Sequence, residues 1–358
     1  MREVIIIGAG LSGLSAAYYL KKAGIKSLVL EARARTGGRV LTIAAGNDTP
    51  VEMGATWFTD KHLHLLALLK ELDLQFFTQY QKGVGIFENS LSEETQLFQM
   101  PSTGEPSYRI AGGTSRLIET LLERIGNEQL VLGSTITQVS DHKDHIEIKS
   151  LEGEVFSCKN LIITIPPFLI VSQKIAFDPP LPADIVHIMG NTHTWMGEAV
   201  KFAVAYQDPF WRRQGYAGVV FSHVGIAQEI HDHCNFEETH YALKGFLSAE
   251  AYALSREERE AEVIVQLTRL LGKEASDYLS YTEKLWKEEA FTYADYRKYV
   301  MPHQHNGHPL YACPLMSGKI QLAGTETAPY YGGYLDGAVY SGLSAASKVL
   351  KQVNSFDA

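Results

Sequence analysis

Residues 1–31 read MREVIIIGAGLSGLSAAYYLKKAGIKSLVLE, and the fold follows from this stretch. Val4 to Ile7 is a continuous β-branched run, the pattern of a strand buried on both faces of a parallel sheet. It meets Gly8-Ala9-Gly10-Leu11-Ser12-Gly13 without a break. Leu14 to Gly24 then spaces its apolar residues as a helix does and stops at a glycine suited to a C-terminal cap. A second short strand, Ser27 to Leu30, ends on Glu31. Gly8 allows the tight turn, Gly10 lets the backbone approach a pyrophosphate, and Gly13 permits close helix–strand packing. The helix N-terminus offers free N–H groups and a partial positive charge to phosphates. Glu31 is placed to accept hydrogen bonds from ribose hydroxyls, which disfavours a 2′-phosphorylated ligand. A dinucleotide site is expected.

The next segments extend the pattern. Ala32-Arg33-Ala34-Arg35-Thr36-Gly37-Gly38-Arg39-Val40 carries paired glycines and an arginine that suit a second approach to a diphosphate. By spacing alone, a plain loop with a surface charge reads equally well. Near the other end, Ile320 to Ala328 holds Gly324-Thr325-Glu326, and Pro329 to Val339 holds Gly333-Tyr334-Leu335-Asp336-Gly337-Ala338. A helical pattern then runs to Leu350. This is a strand, a glycine-rich turn and a helix whose N-terminus again faces an anion.

The whole chain sets bounds on this reading. Its 358 residues, 45% of them apolar, suggest two domains. The net charge of -9 argues against nucleic acid as a partner, since phosphates require a basic face. Three separated cysteines, Cys158, Cys234 and Cys313, form no CxxC pair and point to a reducing compartment. The N-terminal apolar run is too short for a signal peptide. No stretch reaches the ~18 apolar residues of a membrane helix, and the tail is polar. A soluble, cytoplasmic protein is expected, as a monomer or homodimer.

Taken together, the N-terminal fingerprint and the C-terminal Gly324–Ala338 motif resemble the flavin-dependent amine oxidases, the family of monoamine and polyamine oxidases. The resemblance covers roughly residues 1–60 and 285–350, with islands between them. Arg109-Ile-Ala-Gly112-Gly113-Thr114 is similar to the point where the family's chain re-enters its FAD domain. Ser134 to Val139 leads into alternating strands around His145 and Val155, then into Leu161–Ile165. The resemblance implies an α/β fold: a Rossmann-like FAD-binding domain, with a parallel sheet plus a three-stranded β element, and a smaller interleaved α+β substrate domain. The FAD domain is expected over 1–73, 109–196 and 294–358, and the substrate domain over 74–108 and 197–293.

It also implies site residues. The FAD contacts fall on Gly8, Gly10, Leu11, Ser12, Gly13, Glu31, Ala32, Arg33, Gly38, Arg39 and Val40. They continue on Gly54, Ala55 and Thr56, on Val139 by its backbone at the adenine end, and on Gly324, Thr325, Glu326, Gly333, Tyr334, Leu335 and Ala338. Lys201, in the apolar strand Val200–Tyr206 before Asp208-Pro209-Phe210-Trp211, matches a lysine that holds a water against flavin N5. From the residues alone it reads as well as a strand-edge lysine reaching solvent. Tyr296, counted from Trp286, and Tyr334 match two tyrosines that cage the amine over the flavin, with Tyr293 the rival of Tyr296. Asp295 stands where some members carry a flavin-linked cysteine, so non-covalent FAD is expected. The His303–His308, His231–His233 and His62–His64 groups read as polar loops, with no metal assigned.

The implied reaction is oxidation of a small-molecule amine by hydride transfer to flavin N5, with dioxygen as acceptor and peroxide as product. One departure limits the carry-over: residues 74–108 are short for the family's first substrate-domain segment. Two alternatives stay open on the sequence, a desaturase or protoporphyrinogen-type oxidase acting on a carbon skeleton and a non-enzymatic flavoprotein. An NAD-dependent dehydrogenase leaves the C-terminal motif unexplained.

Overall fold

The strand Arg2–Ile7 is the spine of the larger sheet. It pairs in parallel with Ser27–Glu31 on one side and Val155–Ile163 on the other. Val4, Ile5 and Ile6 are wholly buried, which is why the run carries no polar residue. Val4 and Ile6 face a helical layer, while Ile5 and Ile7 pack with Ile136, Val139 and Ile148 on the opposite face. A computed structural model provides these coordinates; it describes all residues except 102–103, 173–174 and 357–358, so the last two residues of the polar tail lie outside the described residues.

The sheet runs in the order Ala176–Asp178, Ile136–Asp141, Ile146–Ser150, Val155–Ile163, Arg2–Ile7, Ser27–Glu31, Leu130–Leu132. Val155–Ile163 joins its two halves. Its first residues pair antiparallel with Ile146–Ser150, and its last pair in parallel with Ile320–Leu322. The expected three-stranded β element is thus continuous with the parallel sheet, and Ala176–Asp178 adds an edge strand to it.

The helix Leu11–Lys22 packs against Ser115–Ile125 and Leu335–Phe356, which brings the two chain ends together. Gly324 N donates to Ser12 Oγ at 3.0 Å, and Ser12 Oγ lies 2.8 Å from Ser341 Oγ. A Cβ added at Gly342 would sit 2.3 Å from the Ser12 carbonyl oxygen, so this crossing requires glycine. The N- and C-terminal motifs therefore open onto one place.

A second sheet runs Ser280–Leu285, Val200–Tyr206, Tyr241–Leu247, Ala227–Asp232, Tyr216–Ser222, Val84–Glu88, Gln96–Gln99. Side-chain alternation decides its two faces. Phe202, Val204 and Tyr206 pack with Val263, Leu267 and Leu271 of the helix Arg256–Leu271. That helix starts at a capping box of Ser255 and Glu258. Ala203 turns the other way and packs with Val51 and Met53 of the nucleotide-binding side. Lys201 shares that face. Among the described residues, no helix is long and apolar enough to cross a membrane.

Candidate functional site

A cavity of about 440 Å³ takes its lining from both sheets and both chain ends. At one part of it Glu31 Oε2 accepts from Ala9 N at 2.8 Å and Oε1 accepts from Arg33 N at 3.0 Å. Two backbone donors thereby fix the carboxylate against the glycine turn. Arg33 Nη2 donates to Thr292 Oγ1 at 2.7 Å and its Nε to Glu289 at 3.0 Å, tying this rim to the chain before Tyr293. Ser134, Thr135 and Ile136 line the same region, and the buried Ser134 hydroxyl has no hydrogen-bond partner. Val139 does not line it. Its side chain is wholly buried in the sheet core, three residues further along the same strand.

The glycines divide by role. Gly8 has φ 104°, where a side chain is strained, and Gly13 lies so close to the turn that an added Cβ would stand 2.0 Å from Gly8 O. Gly13 therefore sets helix packing and does not line the cavity. Gly10 and Gly38 do line it, and their backbones cross with an added Gly38 Cβ only 3.3 Å from Gly10 Cα. Two bare backbones meeting at a helix N-terminus fit a diphosphate. Arg39 completes the place: its guanidinium donates to Trp195 O at 3.1 Å and to Glu326 at 2.9 Å. Glu326 is fully buried and does not line the cavity. It acts as the counter-ion that holds Arg39 there.

Of the other sequence-expected residues, Leu11, Ser12, Ala32, Val40, Gly54, Ala55, Thr56, Gly324, Thr325, Gly333, Tyr334, Leu335 and Ala338 all line the cavity. So does Lys201, whose Nζ donates to the Gly54 carbonyl from a strand with every residue buried. Burial pushes its pKa down to about 8, against the pull of Glu52 and Glu229. The strand-edge reading is thereby replaced: this lysine points inward.

Tyr296, expected to face the amine, lies outside the cavity, as Gly13, Val139 and Glu326 do. Its hydroxyl accepts from Thr194 N at 2.8 Å and donates to Thr192 O at 3.1 Å, and its ring stacks on Phe168 at 4.1 Å. Tyr293 is also turned away, donating to Glu198 at 2.8 Å. Counting from Trp286 finds the right loop but not the direction of its side chains, which the loop's packing decides.

Several lining residues carried no sequence signal. Trp57, Trp195, Met196, Glu229 and Phe246 reach the cavity beside Lys201 or Tyr334. Glu229 and Phe246 sit on neighbouring strands in register with each other, so only strand pairing brings them together. A second buried lysine, Lys244, donates to Thr56 Oγ1 and lies 4.3 Å over the Trp57 ring. Burial and the nearby Lys201 push its pKa well down, opposed by Glu52. The alternation that exposed Lys201 as unusual also marks Lys244, two residues before Phe246.

The groups present suit a flavin dinucleotide: a fixed carboxylate, an unpartnered hydroxyl, a backbone crossing with an arginine, and an end lined by a lysine and an aromatic ring. The sequence profile of the flavin-containing amine oxidoreductases matches residues 11–99 and 87–350. Its two pieces meet at the hairpin of Val84–Glu88 and Gln96–Gln99. The chain is 25% identical to a probable flavin-containing monoamine oxidase A of Dictyostelium discoideum, with 97% of each chain covered. That alignment spans 454 positions against 358 residues here, so the relative carries segments that this chain lacks. It is 26% identical to the flavin-containing amine oxidase A of Canis lupus familiaris, covering 98% of this chain and 85% of that one. Among solved structures it shares its fold with a putrescine oxidase bound to putrescine, at TM-score 0.85 and 23% identity over 98% of this chain and 99% of that chain. The cyclohexylamine oxidase of Brevibacterium oxydans superposes at TM-score 0.86 and 20% identity, over 99% of both chains.

Proposed function

The chain belongs to the flavin-containing amine oxidoreductases and is an FAD-dependent enzyme of amine oxidation; on that premise we propose that it oxidises a small amine carrying a second cationic group, with dioxygen as the acceptor. The observation that carries the substrate class is Glu229, a carboxylate lining the cavity beside Lys201 and Phe246. A hydrogen bond with His231 at 2.6 Å holds its pKa below the usual carboxylate range. An anion on that wall favours a cation at one end of the substrate while the other end, as the neutral amine, is oxidised. Putrescine, the ligand of a structure with this fold, has that chemistry.

In this reading Gly10, Gly38, Arg39 and the helix N-termini hold the diphosphate, Glu31 the ribose, and Ser134 to Ile136 the adenine end. FAD, when bound, would supply the two-electron oxidation of the amine's carbon–nitrogen bond, with dioxygen as the acceptor and hydrogen peroxide as its product. Lys201 holds a water on the cavity wall, and Tyr334 flanks the path of the amine. The apolar walls at Phe246 and Trp57 exclude bulk water from the reacting carbon. The imine leaves and takes up water to give an aldehyde or ketone, releasing its nitrogen as ammonia or the remaining amine. Asp295 faces Lys287 at 3.2 Å with a largely exposed side chain, so it is not at the cavity, which supports a dissociable FAD. The division into an FAD domain over 1–73, 109–196 and 294–358 and a substrate domain over 74–108 and 197–293 is part of the same reading. So is a cytoplasmic location, which the free state of all three cysteines supports.

The test is the visible spectrum of the purified holoenzyme, recorded anaerobically with monoamines and with diamines of graded length. Bleaching of the flavin bands at lower concentration by a diamine is the expected result. Equal response to a monoamine of the same chain length removes the second cation, and no response to any amine alongside bleaching by dithionite removes the substrate reading.

A further inference from the structure

We propose that Trp195 is the aromatic side chain that works opposite Tyr334 at the flavin end of the cavity, and that Tyr296 is a positioning residue which holds the Trp195 loop. The inference rests on the amine-oxidase reading of this site and names a residue that reading does not contain.

Trp195 lies in the connection between the helix Ala183–Met189 and the strand Val200–Tyr206. Its ring lines the cavity, with its centroid 6.2 Å from that of Tyr334 and the planes 36° apart. Three contacts hold it. Arg39 Nη1 donates to its carbonyl oxygen at 3.1 Å, so the residue that anchors the diphosphate region also anchors this loop. A Cβ at Gly333 would come within 2.8 Å of Trp195 Cβ, so the glycine before Tyr334 leaves the space that the indole uses. His303 stacks on the indole at 3.9 Å and lies nearly parallel to Tyr334 at 5.6 Å. Burial pushes the His303 pKa below its ordinary value, against its hydrogen bond with Gly332 O, which favours an uncharged ring stacked on the indole.

Tyr296 fixes the same loop from behind. Its hydroxyl spans the turn, accepting from Thr194 N at 2.8 Å and donating to Thr192 O at 3.1 Å, immediately before Trp195. Stacking on Phe168 at 4.1 Å holds the phenol in place. The ring thus acts on the cavity through Trp195. An indole presents a wider, hydroxyl-free face than a phenol, and Met196 beside it is partly exposed and also lines the cavity. This wall sets the width available to the amine and offers a π face to a cation on its way in.

The experiment uses the FAD-loaded enzyme with Trp195→Leu, Tyr296→Phe and the double substitution, reading the flavin absorption and fluorescence without substrate and then anaerobic reduction by amine. Trp195→Leu is expected to shift the flavin bands, raise flavin fluorescence, and lower the limiting reduction rate roughly ten- to a hundredfold. Tyr296→Phe keeps a ring but loses both hydrogen bonds, and a smaller change in the same direction is expected. Added to Trp195→Leu it should change nothing further. Unaltered flavin bands and reduction rate in Trp195→Leu would overturn the assignment, and additive effects in the double variant would overturn the positioning role. Should Tyr296→Phe lose its fold, Trp195→Leu and Trp195→Phe still decide the role of Trp195. The spectral arm needs no amine, so its outcome is separable from the substrate reading.

Discussion

Lys244 and Lys201 stand on paired strands, Lys244 opposite Ala203, and both reach the same three-residue stretch, Gly54-Ala55-Thr56. Two lysines on one buried face disfavour each other's charged form, and Glu52, on the strand leading into that stretch, is buried near them and acts against that effect. Burial pushes the Glu52 carboxyl up, and Lys244 is the strongest influence in the other direction. Replacing Lys244 by methionine removes that influence and the lysine's hydrogen bond to Thr56 Oγ1, and should destabilise the protein by roughly 1–3 kcal/mol in denaturant unfolding. Glu52→Gln in the same background should recover part of the loss. Strictly additive losses would show that the two groups do not act as a pair.

Lys201 carries a pH signature. Its pKa is pushed from 10.5 down to about 8 by burial, so the folded state binds fewer protons than the unfolded chain between those values. Stability should therefore rise as pH goes from about 8 to 10.5, and Lys201→Met should flatten that rise in thermal melts. In kinetics, the neutral-amine requirement gives the rising limb of a pH profile and loss of the Lys201 proton the falling limb near 8. Lys201→Met should keep FAD bound, remove the falling limb, and slow flavin reduction or reoxidation by roughly 10²-fold. A variant with unchanged rates and profile would take Lys201 out of the mechanism.

The fingerprint glycines should fail differently. A Cβ at Gly10 meets nothing closer than 3.9 Å, and its φ of -76° suits any residue. Gly10→Val is expected to fold and to come off the column without yellow colour. A Cβ at Gly13 would sit 2.0 Å from backbone, so Gly13→Ala should lower the unfolding free energy by roughly 1–3 kcal/mol. FAD retained at full occupancy by Gly10→Val would contradict the diphosphate assignment.

Glu229→Gln tests the second-cation subsite directly. It keeps the side-chain volume and removes the charge. The half-saturating concentration of a diamine should rise roughly tenfold or more, as expected for loss of a charge-assisted contact of about 1.5–3 kcal/mol, while a monoamine is little affected. The discriminating quantity is the ratio of the two substrates' kcat/KM values; an unchanged ratio would exclude Glu229 from recognition.

Much of this protein follows from local rules. Gly8, Gly10, Gly13 and Glu31 are readable because a turn, a backbone approach and a helix start impose demands on residues a fixed number of steps apart. The Gly324–Ala338 turn and helix obey the same constraint, and Lys201 stood out as one cation in an alternating apolar strand. The cavity's other walls obey no such spacing. Glu229, Phe246 and Trp195 come from separate connections and strands, and their meeting depends on sheet register and on how the loop 190–199 packs. Tyr296 shows the limit most clearly: its position in the chain matches the cage, yet its hydroxyl finds two backbone partners at Thr192 and Thr194 and its ring finds Phe168. Sequence spacing determines what a short segment can do with its own backbone. Which side of a loop faces the ligand depends on competition among distant partners for each side chain, and only the tertiary structure decides it.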